Sequence, residues 1–275
     1  MTTTDLLLRA WEWEPSIIAG CIALAAVYGA AVRFRFARQS VFFFAGVLAL
    51  FLATASPIDT IGESYLFSAH MLQHFALTMI VPPLLLLGVP SELAERALAA
   101  PPAARIERVL RKAPVAWSIG IGAILAWHIP VFFDAGLENE AIHIAQHLCL
   151  LVTATIFWWP VLAPLERRRM HPVLAIPYLS TACMACTAIG VTIVFAPAGL
   201  YSFYLNPPDP YGALSLIRNG WGMSVATDQV TAGLIMWVPC CLVFIIVMLI
   251  GLGRWYASPE AEEPVAPVEG ELHNA

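Results

Sequence analysis

Long apolar runs alternate along the chain with short stretches that carry charge, proline and glycine. Seven runs stand out, at about 16–32, 40–55, 67–89, 115–133, 142–162, 172–195 and 226–251. A bilayer core about 30 Å thick takes roughly 20 apolar residues per helix, and the runs come near that length, the second being the shortest. The pattern predicts an all-α, polytopic membrane protein of seven transmembrane helices. Between the runs lie the basic stretch Arg33 to Arg38, an acidic loop around Asp59 and Glu63, a charged connector 91–113, a loop 134–141, the triplet Arg167-Arg168-Arg169, and a Pro- and aromatic-rich loop 196–225. In the connector, Ala and Leu alternate with Glu and Arg until Pro101-Pro102 intervenes. It reads as two short surface helices, with a solvated linker as the alternative.

Basic residues give the orientation. The stretches after runs one, three, five and seven hold twelve Lys or Arg, and the other side holds only Arg9 and Arg218. The positive-inside rule then puts the N-terminus outside and the C-terminus inside. The start Met1-Thr2-Thr3-Thr4-Asp5 has no positive region ahead of a short apolar core, so the first run is expected to be retained rather than cleaved. The chain thus divides into a membrane domain, 1–256, and an acidic tail, 257–275, with too little apolar surface to order.

Composition agrees with this division. Of 275 residues, 60% are hydrophobic and 12% charged, where soluble domains carry about 25% charge. Mean hydropathy is +0.76. The net charge of −5, with no basic face, argues against nucleic acid as a partner and leaves the lipid bilayer as the main surroundings. All six cysteines fall within apolar runs, which implies no extracellular disulfide framework.

The candidate chemistry is a repeated motif. His70-Met71-Leu72-Gln73-His74 and His143-Ile144-Ala145-Gln146-His147 both read H-x-x-Q-H, near the starts of runs three and five. Residues i and i+4 share a helix face, and chance placement of seven histidines gives fewer than about 0.2 such pairs. His128 near the outer end of run four, and Asp228-Gln229 near the outer start of run seven, bring further polar groups to the same level. Ionisable residues inside a membrane are rare unless paired or functional.

Metal binding is the preferred reading, with His70, His74, His143, His147 and Asp228 as ligands. Gln73, Gln146, His128, Gln229 and Met71 serve as second-shell or accessory groups. The ligand set suits copper or zinc alike. A purely structural network, a proton relay, a zinc-dependent lipid hydrolase with Asp228 as general base, and a metal or proton transporter are the competing readings. A pair of haems would need ligand pairs well separated in depth, which these are not. Cys183 and Cys186, three apart in run six, read as packing rather than as ligands.

Four segments in order resemble the multi-span CtaG family of cytochrome c oxidase assembly factors associated with caa3-type oxidases. They are Ser56-Pro57-Ile58-Asp59 with His70 to His74; Pro82-Pro83 with Leu87-Gly88-Val89-Pro90; His143 to His147; and Asp228-Gln229 with Ala232-Gly233 and Met236-Trp237. The resemblance implies a non-enzymatic protein of the bacterial plasma membrane. It also implies the catalytic subunit of cytochrome c oxidase as partner, and copper delivered to or retained for its CuB centre.

Overall fold

The structure, a computed structural model, describes residues 1–35 and 37–257; the tail expected beyond them lies outside the described residues. Among the described residues every regular element is helical. Helix α1 is Thr3–Arg9, α2 Pro15–Ala31, α3 Arg38–Ala55 and α4 Pro57–Ser64. Then come α5 Phe67–Phe75, a π turn Ala76–Ile80, α6 Val81–Gly88, α7 Ser91–Leu98 and α8 Pro101–Leu110. The chain continues through α9 Ala113–Trp127, α10 Pro130–Glu138, α11 Glu140–Leu162, α12 Pro172–Phe195 and α13 Val225–Tyr256.

Among the described residues, five stretches are long and apolar enough to cross a membrane: Arg38–Ser64, Phe67–Gly88, Glu140–Leu162, Pro172–Phe195 and Val225–Tyr256. A sixth is made by α8 and α9 if that pair, bent by 75°, counts as one span. Helix α2 is apolar but only 17 residues long. The second run, the shortest by sequence, is extended by α4 to 27 residues.

Run four behaves differently from its sequence reading. Its helix stops at Trp127 and not at 133. Pro130 bars Ile129 from helical geometry and starts α10, so residues 134–138, expected to be loop, are helical. Alone, α9 has 15 residues and reaches about 22 Å of a core about 30 Å thick. The connector forms two short helices, α7 and α8, the second with Pro101 at its first turn, where a missing N–H costs nothing.

The largest core cluster lies between α5, α9, α11, α12 and α13, with Met71, Trp158, Leu179, Met236 and Phe244 among its members. A second, around Leu6, Ile61, Tyr65 and Ile217, packs α1 and the 196–225 loop onto the α4–α5 junction. Helices α12 and α13 approach closely where a Cβ on Gly190 would stand 2.7 Å from the Gly233 carbonyl oxygen. Near this contact Cys183 and Cys241 are disulfide-bonded across the two helices, a pairing the cysteine positions in the sequence did not imply.

Candidate metal centre

Both H-x-x-Q-H motifs fall on helices, and their spacing does what i,i+4 geometry requires. The His70 and His74 rings lie 4.3 Å apart by centroid and those of His143 and His147 4.0 Å apart. The two pairs face each other across α5 and α11, with His70 5.4 Å from His143 and His74 5.6 Å from His147. The C-terminal end of α9 adds a fifth ring, its cap residue His128, 5.7 Å from His74. Phe133 of α10 packs edge-on against His70 at 5.0 Å and, with Tyr201, closes one side of the cluster.

These rings are buried. Relative exposure is 0% for His70, 1% for His74, 8% for His128, 5% for His143 and 9% for His147. Burial of that depth normally demands hydrogen-bond partners. Yet both ring nitrogens of His70 and His74, and Nε2 of His128, His143 and His147, have none. Each unmet buried nitrogen costs about 1–3 kcal/mol, and one ligand atom from each of His70, His74 and His147 lies within 4.8 Å of the others, which fits a bound cation far better than a packing role.

Two histidines also have their tautomers set. His128 Nδ1 contacts the Ile124 carbonyl at 2.7 Å, and a carbonyl can only accept, so Nδ1 carries the proton and Nε2 offers its lone pair. His143 Nδ1 donates to the Glu63 carboxylate, with the same consequence for its Nε2. An imidazole oriented by a carboxylate or carbonyl is the usual arrangement behind a metal ligand.

Among the described residues, two groups each bring their ligand atoms within 4.8 Å of one another: one is His70, His74 and His147, the other Asp59, His143 and His147. Asp59 was not a candidate in the sequence reading. It sits on α4, where Gln73 Nε2 donates to its Oδ1 as well as to the Ala53 carbonyl. A usable signal was present: Asp59 and Glu63 are also i,i+4, so α4 presents two carboxylates on one face as α5 and α11 present two imidazoles. Gly62 permits the contact, because a Cβ there would stand 2.9 Å from the His70 backbone nitrogen.

The remaining candidates lie outside this convergence. Asp228 accepts from the backbone N–H groups of Phe67 and Ser68 at 2.8 and 2.9 Å, one on each oxygen. It therefore caps α5, whose own N-cap residue, Leu66, offers no side-chain acceptor. Gln229 ties down the loop after α12, accepting from Gly199 and Leu200 and donating to the Ile193, Ala196 and Pro197 carbonyls. Met71 is buried in the apolar core. Gln146 is buried next to Gly136 with its amide unpaired.

Fold and site together define a class: a helical membrane protein with a polyhistidine cluster buried between its helices. Residues 19–258 match the family of cytochrome c oxidase caa3 assembly factors, CtaG. The chain belongs to that family. It is similar to an uncharacterized protein of Mycobacterium leprae, 27% identical over 269 residues covering 89% of this chain and 39% of the relative. Uncharacterized proteins of Mycobacterium bovis and Mycobacterium tuberculosis are each 25% identical over 307 residues, covering 99% of this chain and 45% of the relative. The chain thus spans less than half the length of these curated relatives. No solved structure matches it.

Proposed function

We propose that this chain is a non-enzymatic assembly factor of the bacterial plasma membrane that carries copper to the CuB centre of the oxidase catalytic subunit. His70, His74 and His147 hold the ion, with His128 and His143 beside them. The observation that carries this reading is the set of seven unpartnered imidazole nitrogens on five buried histidines. Membership of an oxidase assembly family supplies the client. Neutral imidazole binds copper and zinc well, and a client centre named for copper selects between them.

The same reading has the chain cross the membrane seven times, N-terminus outside, counting α2 and α9 as spans. The basic bias, twelve against two, supports it. The histidines then lie towards the outer side, where copper arrives. The hydrolase alternative loses its proposed base, since both Asp228 oxygens are engaged by backbone N–H groups.

The test is the copper, zinc and iron content of gently solubilised, purified full chain beside His70→Ala. Copper bound by wild type and lost in the variant is the expected result. Zinc in that pattern would move the assignment towards a zinc protein, and no metal bound by either, even after incubation with copper, would overturn the copper reading.

A further inference from the structure

We propose a second cation site in front of the histidine cluster, formed by Asp59, His143 and His147, that loads a divalent transition-metal ion from the outside and passes it inward. It rests on the metal-binding part of the reading above but does not depend on oxidase assembly.

The first observation is a cavity of about 640 Å³ whose lining includes Glu12, Asp59, Glu63, Glu140, His143 and His147. With Glu14, five carboxylates border it, and among the described residues no Lys or Arg does. A cleft lined by one sign of charge raises the local concentration of the opposite ion and speeds its capture. Glu12 and Glu140 are exposed, and Asp59, within hydrogen-bond reach of the Glu12 side chain, is buried.

Carboxylates alone would not make a site. Here two imidazoles line the same cavity, both at least nine-tenths buried with Nε2 unpartnered. Glu63 holds the His143 proton on Nδ1, and Gln73 holds the Asp59 carboxylate. The donor set is therefore one carboxylate oxygen and two imidazole nitrogens, with outer partners already in place. Such mixed N and O donors suit Cu(II) or Zn(II), whereas Cu(I) prefers softer ligands.

His147 belongs to this group and to the deeper group with His70 and His74. An ion held by Asp59, His143 and His147 reaches the inner position by exchanging Asp59 and His143 for His70 and His74 while His147 stays bound. No bond other than metal–ligand bonds changes, and the ion keeps its charge. The outer group faces the acidic cavity, and the inner group is closed off by Phe133. The arrangement gives ions one direction of supply.

The experiment is stopped-flow and equilibrium titration of the full chain in nanodiscs with Cu²⁺, read by electron paramagnetic resonance for ligand type and stoichiometry. The variants are Asp59→Asn, Glu12→Gln/Glu14→Gln and His70→Ala. Asparagine keeps an oxygen for Gln73 but loses the anionic ligand. Asp59→Asn is expected to slow loading or weaken it by about tenfold or more. The Glu12/Glu14 double variant should slow loading severalfold at low salt, and the difference should shrink at high salt. His70→Ala should take up Cu²⁺ only weakly during the titration, with a mixed N and O signature, and lose it on purification. Wild-type loading and spectra in Asp59→Asn, with His70→Ala still impaired, would overturn the second site and leave the inner one standing. Failure of wild type to bind Cu²⁺ would overturn both.

Discussion

The carboxylate of Asp228 accepts a hydrogen bond at 2.8 Å from the backbone N–H of Phe67, 161 positions earlier in the chain. Its other oxygen takes the N–H of Ser68. The cap of the helix that carries His70 and His74 thus comes from α13 and not from α5 itself. Removing it leaves two buried N–H groups unmet at a helix N-terminus, which destabilises by about 2–3 kcal/mol. Asp228→Ala should lower the melting temperature of the solubilised protein. Asp228→Asn, which keeps one acceptor, should lower it less and leave metal per protein unchanged. Loss of metal in Asp228→Asn at an unchanged melting temperature would make Asp228 a ligand after all.

Gly62 sets the spacing of α4 from α5. A methyl group there meets the His70 backbone nitrogen at 2.9 Å and its Cα at 3.0 Å, atoms that cannot rotate away. Gly62→Ala should cost about 1–3 kcal/mol through overpacking and push Asp59 away from Gln73 and the histidines. Stability and Cu²⁺ loading should therefore fall together. A variant with unchanged loading and melting would show that α4 has slack that the close contact does not suggest.

The two H-x-x-Q-H pairs were legible because one helical period places both rings of a pair together, whatever the rest of the fold does. Their meeting followed from both helices running the same way. Asp59 was hidden because its chemistry depends on where α4, continuing the span begun by α3, packs on α5, and that is decided by the bare Gly62 contact, a tertiary matter. Asp228 was misleading for the opposite reason. A carboxylate at ligand depth in a span reads as a ligand, but the uncapped start of α5, with Leu66 before it, is visible only once the helices are placed. The end of run four was written in Pro130, while hydropathy carried the reading past it.

Tyr65 and Asp209 form a pH-sensitive latch over the α4–α5 turn. The Tyr65 hydroxyl donates to Asp209 Oδ1 at 2.8 Å, and the same oxygen accepts from the Ala213 and Leu214 N–H groups. Burial is the largest single influence and acts to raise the Asp209 pKa, but the hydrogen bonds from Tyr65, Ala213, Leu214 and Gly212 together outweigh it and hold it below the ordinary 3.8. Burial pushes Tyr65 up to about 12. A lowered carboxyl pKa contributes stability above the unfolded value and loses it as pH falls through the folded one. A raised phenol pKa contributes below the unfolded value near 10 and loses it as pH climbs towards 12. Protection of the Ala213 and Leu214 amides, corrected for intrinsic exchange, should be flat from about pH 5 to 9 and drop below about pH 4. Protection that stays constant to pH 2 would show the latch contributes nothing.

The cellular prediction separates carriage from scaffolding. His70 and His143 lie 5.4 Å apart but belong to different donor groups, the inner and the outer. Replacing either by Ala should leave the chain inserted at wild-type abundance and reduce oxidase activity in the membranes. Losing a direct imidazole ligand should cost about tenfold or more in affinity, as loss even of an outer partner does. Occupancy depends on the ratio of free copper to Kd. A comparable rise in available copper should therefore restore much of the oxidase activity. The two variants should differ in how they recover. His143→Ala keeps all three inner imidazoles and loses the outer route, so modest copper should suffice. His70→Ala keeps the route and loses a holding ligand, so it should need more. Equal loss with no recovery at any copper level would mean that the cluster supports the client by contact and not by cargo. Normal oxidase activity in both variants would remove the histidines from assembly altogether.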